Sequence, residues 1–343
     1  FLVARGIIDD LGMASLAVET LIALKKSSAP LRRDIILALT GDEESGGAGL
    51  SHLLKNHRAA IDAGIALNES GGPELGEDGQ VRMANVQIGE KIYQDFEIVA
   101  HGPSGHSSAP LDDNAIARLG AALGRLGAHH FPARLIPATR AYFKARAAVE
   151  SGELAQAMRS IADARGPLPS SAVRIIDRDP SLSAILRTTC VSTLVNGGTR
   201  ANALPAEARA TLNCRLLPDE TPARIRGELM RVVSDPKLEI RAIDEATASP
   251  ASPENGEVVA AIRKITAEFW PKAPVIPFIS RSATDAAALR TAGIPAYGFL
   301  PFPLTAADAR RMHGAEERVG ITAWQTGARL FARIVSELAA SKQ

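Results

Sequence analysis

At 343 residues the chain is longer than one hydrophobic core usually organises, so two domains are expected. Apolar residues make up 46% and charged residues 22%, a globular balance that excludes a disordered chain. The 39 basic and 38 acidic residues leave a net charge of +1, which excludes a nucleic-acid footprint, and no apolar run reaches the roughly 20 residues that span a bilayer.

Phe1 is not a methionine, and FLVARGIIDD reads as the interior of a strand, so the sequence is expected to be N-terminally incomplete. A helix-period stretch follows, with Leu16, Leu21 and Leu24 among its apolar positions. DIILALT, Asp34 to Thr40, is a continuous apolar run and predicts a parallel strand buried on both faces. AGIALN, Ala63 to Asn68, predicts a second. The middle of the chain changes character: YQDFEIVAH, TTCVSTLVN, EARATLNCRLL and KLEIRAI read as strands, DNAIARLGAALGRL and TPARIRGELMRVV as helices. That β-α-β-β-α-β order is the signature of a ferredoxin-like module. A helical insertion at about 129–183 interrupts it, and the Pro/Ser-rich run 247–255 links back to the first pattern. GIPAYGFL and ITAWQTGARLFARIVSELAA then predict a strand and a closing amphipathic helix. The fold class expected is therefore α/β, a larger domain over 1–92 and 246–343 with a mixed, mostly parallel sheet. An α+β domain over 93–245 is inserted into it.

Acidic residues fall at the carboxyl ends of the predicted strands, where α/β sheets present their chemistry. These are Asp9, Glu43, Glu44 and Glu69. Carboxylates gathered there repel unless cations share the site, and hard oxygens plus a histidine suit zinc. His313 in MHGAEERVG is the candidate histidine. Each signal alone has a plainer reading: an EE pair on a solvated loop, Asp9-Asp10 as a helix cap, Asp285 as another cap. Cys190 and Cys214 read as plain buried thiols. No phosphate loop, G-x-G-x-x-G, H-E-x-x-H or G-x-S-x-G is present, which removes nucleotide-binding, thermolysin-type and serine-hydrolase chemistry.

The order of these motifs resembles the M20 metallopeptidases, a family that includes carboxypeptidases and aminoacylases. ARGIIDD resembles the family's strand-to-helix motif, which implies that Asp9 bridges two zinc ions. TGDEESGG implies Glu43 as general base and Glu44 as a zinc ligand; ALNESGG implies Glu69 as a further ligand, and MHGAEER implies His313 as the last. GHSSAP implies that His106 reaches the active site of a partner subunit, hence a homodimer through an inserted lid and dimerisation domain. GGTRANALP and LNCRLLP imply Asn202 and Arg215 near a substrate carboxylate, although a turn residue and an ordinary ion pair are their plainer readings. The family's His-x-Asp zinc motif would lie ahead of Asp9, where this sequence has eight residues and no histidine.

The resemblance implies hydrolysis of an amide bond next to a free carboxylate, with two zinc ions for which cobalt or manganese can substitute. The long insertion is similar to that of the branch holding carboxypeptidase S and the N-acyl amino acid hydrolases, so small peptides or N-acyl amino acids are the expected substrates. The rival reading is a catalytically silent relative that binds a peptide or amino-acid derivative. The low cysteine count leans toward the cytoplasm, with periplasmic or secreted placement open.

Overall fold

The computed structural model describes residues 1–27 and 30–340. The chain begins with β1 (Leu2–Val3) and α1 (Leu11–Ser27), whose Lys25 and Lys26 complement the helix dipole in its last turn. After α2 (Ala48–Asn56) come β2 (Ala66–Asn68), β3 (Gly72–Leu75) and β4 (Val81–Glu90). Next are β5 (Ile92–His101), β6 (Gly105–His106) and α3 (Ala115–Ala128), which Asn114 caps by accepting the amide of Ala117. Helices α4 (Pro137–Arg146), α5 (Gly152–Asp163), α6 (Ser170–Ile176) and α7 (Pro180–Ser183) fill the insertion. Strands β7 (Thr189–Gly197), β8 (Ala203–Leu204) and β9 (Glu207–Leu216) lead to α8 (Pro222–Val233) and β10 (Leu238–Ala242). The chain closes with α9 (Glu257–Phe269), β11 (Val275–Ser280), α10 (Ala286–Thr291), β12 (Ala296–Gly298), β13 (Leu304–Thr305), α11 (Ala306–Ala309), β14 (Arg318–Val319) and α12 (Ile321–Ala340).

Two compact units result: residues 1–90, 135–178 and 249–343, and residues 91–134 and 179–248. The first is built on a six-stranded sheet in the order β13-β3-β4-β12-β2, with β11 paired to β4. The sheet is mixed: β11, β12 and β13 run parallel to β4, β2 and β3, while β3 and β12 run antiparallel to β4. Its core joins Val86 and Ile88 to Ile262 and Ile265 of α9 and to Leu330 and Ile334 of α12. Helices bury one stripe, which is why α9 hides Val258, Val259, Ala261, Ile262, Ile265 and Thr266 and turns residues such as Arg263, Lys264 and Glu268 to solvent.

The second unit carries an antiparallel four-stranded sheet in the order β10-β5-β9-β7. Along β9 every second residue is buried, from Ala208 and Ala210 through Leu212 and Cys214 to Leu216. That face packs with Leu119, Leu126, Ile225 and Leu229 of α3 and α8.

Three expectations are corrected. Asp34 to Thr40 forms no strand and pairs with none among the described residues, and Ile36 and Leu39 are 48% and 65% exposed. A run this apolar becomes a strand only beside a partner edge, and here it borders a cleft of about 1600 Å³ with α1, α12 and residues 61–68. Residues 135–178 group with the first unit instead of the inserted module, because Ile136 and Ala138 pack on its core while α4 buries Tyr142 and Phe143. Cys190 and Cys214 are not separate thiols but a disulfide, since they sit directly opposite each other on β7 and β9 with Cα atoms 4.1 Å apart. No helix among the described residues is long and apolar enough to cross a membrane.

Candidate active site

The site is built in the first unit on three loops. The first, between β1 and α1, is held by the buried carboxylate of Glu317, which accepts the amides of Gly6 (3.1 Å), Ile8 (2.7 Å) and Asp9 (3.1 Å). Burial pushes this carboxyl up, but those three amides outweigh it and hold it below its ordinary value. α1 then starts so close to the same loop that a Cβ on Gly12 would lie 2.1 Å from the carbonyl oxygen of Ile7. The second loop carries Glu43 and Glu44 in a single 3-10 turn, entered through Asp42 in a left-handed conformation (φ 73°). The third presents His313, also left-handed at φ 63°.

These loops converge. His313 Nε2 lies 3.1 Å from Asp9 Oδ2 and 2.9 Å from Glu44 Oε1. One ligand atom from each of Asp9, Glu44 and His313 falls within 4.8 Å of the other two. Two carboxylates and an imidazole in that space make a donor set for a divalent cation, and zinc accepts such a set. The surrounding charges point the same way. Burial raises Asp9, partly offset by its bond to His313, and Glu44 adds to the rise. Burial and the charges of Asp9 and Glu43 push Asp10 up to about 7. Burial, Glu44, Asp285 and Asp9 do the same to Glu43, also to about 7. Glu69 is pushed well above its ordinary value by burial and then by Asp10. Burial lowers the His313 imidazole, but the bond to Asp9 and the charge of Glu44 raise it on balance. Asp10 Oδ1 is buried without a hydrogen-bond partner. Carboxylates crowded in this way are relieved by a cation, so the residues present fit a divalent metal.

Of the residues singled out by sequence, Asp9, Glu44 and His313 come together and Glu43 stands beside them on the same turn. Glu69, at the end of β2, stays outside that cluster, yet near enough to feel the charges of Asp10, Glu43 and Asp9. His106, Asn202 and Arg215 belong to the second unit. There His106 pairs with Ala203 between β6 and β8, and the amide of Ser107 donates to the carbonyl of Asn202, so His106 and Asn202 are neighbours. His106 Nδ1 accepts the Ser108 amide at 3.2 Å, which leaves the proton of a neutral ring on Nε2. Arg215 is not with them. It lies near the far end of β9, roughly 27 Å along the strand from Glu207, with its guanidinium 4.4 Å from the Tyr93 ring centre.

Sequence reasoning saw Asp10 only as part of a helix cap and passed over Glu317. Nothing local separates buried Glu317 from its exposed neighbour Glu316; only their tertiary surroundings do. Asp285 was read as a helix cap, and it does stand just ahead of α10, but its side chain makes no capping bond and accepts from Thr40 Oγ1 at 2.8 Å instead.

The sequence profile of peptidase family M20/M25/M40 matches residues 1–337. The chain belongs to the M20 peptidase family. This M20 chain is 25% identical over 354 residues to the human N-fatty-acyl-amino acid synthase/hydrolase PM20D1, covering 96% of the chain and 66% of that protein. It is 26% identical over 327 residues to a probable carboxypeptidase S-like 2 of Dictyostelium discoideum, covering 92% and 62%. The chain thus spans about two thirds of the length of these curated relatives. Among solved structures, its fold resembles the M20 family metallo-carboxypeptidase Sso-CP2 of Sulfolobus solfataricus, with a TM-score of 0.67 at 18% identity over 97% of this chain and 77% of that one. Human carnosine dipeptidase 1 matches with a TM-score of 0.61 at 15% identity, covering 98% and 74%.

Proposed function

We propose that this M20 chain hydrolyses an amide bond next to a free carboxylate, in a small peptide or an N-acyl amino acid. The observation that carries the reading is the convergence of Asp9, Glu44 and His313 on one small volume with Glu43 beside it. Asp9, Glu44 and His313 would hold one zinc ion, and Asp9 with Glu69 would contribute to a second; cobalt or manganese can take the same donors. Bound there, the metal supplies Lewis acidity, which polarises the scissile carbonyl and acidifies water.

The chain's own groups do the rest. Glu43, on the same turn but not in the ligand cluster, takes the proton of the attacking water and returns it to the leaving amine. Burial, with the charges of Glu44, Asp285 and Asp9, raises the Glu43 carboxyl to about 7, and a base with a value near the working pH can both take a proton and return it. His106 from a second copy of the chain is the donor to the tetrahedral oxyanion, and its Nε2 proton is the one available. Asn202 would orient the substrate beside it. Arg215, with its planar fork stacked on Tyr93, is suited to a substrate carboxylate, and its place near the far end of β9 is consistent with its serving a different copy in a dimer from Asn202.

The β-α-β-β-α-β order of the second unit supports reading it as a ferredoxin-like lid and dimerisation domain. Strand β7 is an edge of its sheet and exposes Val191, Leu194 and Val195 at 61–63%, the kind of edge that pairs with another copy. The N-acyl amino acid half of the proposal leans on the PM20D1 relatives and the dipeptide half on carboxypeptidase and dipeptidase relatives.

The test is Glu43→Gln assayed on N-acyl amino acids and dipeptides with elemental analysis alongside. Turnover is expected to fall by about 10³ with metal content unchanged, the scale of a lost general base. Full activity in the variant, or no metal in the wild type, would overturn the proposal.

A further inference from the structure

The turn carrying Glu43 and Glu44 is entered through a backbone conformation that non-glycine residues rarely adopt. Asp42, Gly46 and Gly47 all have left-handed φ values, 73°, 125° and 69°. Glycine takes positive φ freely, so Asp42 is the residue whose conformation calls for support from its surroundings. Inside the loop the Gly47 amide donates to the Asp42 carbonyl at 2.7 Å, and α2 presses so closely that a Cβ on Gly49 would lie 2.4 Å from the Gly41 carbonyl oxygen.

The external brace is one carboxylate. Asp285 Oδ2 accepts the Thr40 hydroxyl at 2.8 Å, where the chain enters the loop. Asp285 Oδ1 lies where a Cβ on Gly47 would come within 3.0 Å, at the point where the chain leaves it. Asp285 is itself fixed from behind. Its neighbour Thr284 gives both its amide and its hydroxyl to Glu90, each at 2.8 Å. Glu90 is fully buried at the end of β4 and also takes Arg290 at 3.0 Å and Gln87 at 2.7 Å. One bonded oxygen therefore holds the entry of the loop that presents the general base and a metal ligand, and the other lies against its exit at Gly47.

We infer that Asp285, acting through Thr40, is a positioning residue that sets Glu43 and Glu44 against Asp9 and His313. It neither ligates the metal nor touches substrate. This inference rests on the metal-dependent reading above and adds to it a residue outside the ligand cluster.

Thr40→Val keeps the size of the side chain and removes the hydroxyl. Outer groups that orient a ligand change metal affinity or rate by about 10- to 100-fold. Zinc affinity, measured by competition with a chromophoric chelator, is expected to fall by about tenfold and kcat by about 10- to 100-fold, with KM within about twofold. Thr40→Ser restores the donor and is expected to restore both quantities. Asp285→Asn keeps an oxygen to accept from Thr40 and is expected to stay within about threefold of wild type, whereas Asp285→Ala should resemble Thr40→Val.

Wild-type zinc affinity and kcat in Thr40→Val would overturn the inference, as would failure of Thr40→Ser to rescue. If Thr40→Val does not fold, the Asp285→Asn and Asp285→Ala pair decides: equal losses in both would show that charge matters and the bond to Thr40 does not. A wild type that binds no zinc would instead sink the proposed function itself, so the two failures are distinguishable.

Discussion

Glu317→Gln isolates the device that aims Asp9. The wild-type carboxylate is 1% exposed and accepts three backbone amides, two on Oε1 and one on Oε2. An amide in its place keeps one oxygen, so the best orientation preserves the Ile8 and Asp9 bonds and turns an NH2 group toward the Gly6 amide. Charge-assisted bonds are worth about 1.5–3 kcal/mol and neutral ones about half that, so one lost bond and two weakened ones come to about 3 kcal/mol at the lower end of those values. Because the folded carboxyl titrates below its ordinary 4.5, its stabilisation is fully present above that pH and is lost as the pH falls through the lower folded value. Urea unfolding should therefore show a gap of about 3 kcal/mol between wild type and variant at pH 7, with similar slopes, that narrows as the pH drops below 4.5. Since the third bond goes to Asp9 itself, zinc affinity should fall in parallel. A gap under about 0.5 kcal/mol at pH 7, the range of ordinary surface substitutions, would refute this account of the loop. So would a gap of the same size at pH 7 and pH 4.

Arg290→Met leaves the buried Glu90 without its counter-charge, and chemical denaturation should register a loss of about 3–5 kcal/mol. Cys214→Ala opens the 24-residue separation closed by the disulfide, which the chain-entropy estimate values at about 3 kcal/mol; the loss should vanish when wild type is compared under reducing conditions. Val195→Lys places a charge on the exposed edge strand β7, so sedimentation should shift from dimer toward monomer while the fold is unchanged. A wild type that sediments as a monomer at all concentrations would remove the dimer from the proposal.

Local pattern was legible wherever a segment decides its own structure. The alternation of β9, the capped helices α3 and α8 and the long closing helix follow from period and end signals that need no distant partner. The residue types and their order along the chain were legible too, which is how Asp9, Glu44 and His313 could be named together as candidates. Where a segment depends on what lies beside it, the sequence was mute or misleading. DIILALT has every mark of a buried strand, but a strand exists only with a neighbouring edge. The helices of 135–178 are amphipathic, but amphipathicity does not say which core they cover. Cys190 and Cys214 pair because β7 and β9 share one register. Asn202 and Arg215 lie close in sequence, and an extended strand carries them apart.

The sequence by itself thus determined most of the elements, the residue types that gather at the site and the family, because these reside in periodicity and residue type. Tertiary structure alone decided which carboxylates are buried, which charges they face and what braces the loops that carry them. Those are properties of distance and solvent exclusion, and residues some 300 positions apart, such as Asp9 and His313, acquire them only when the chain folds.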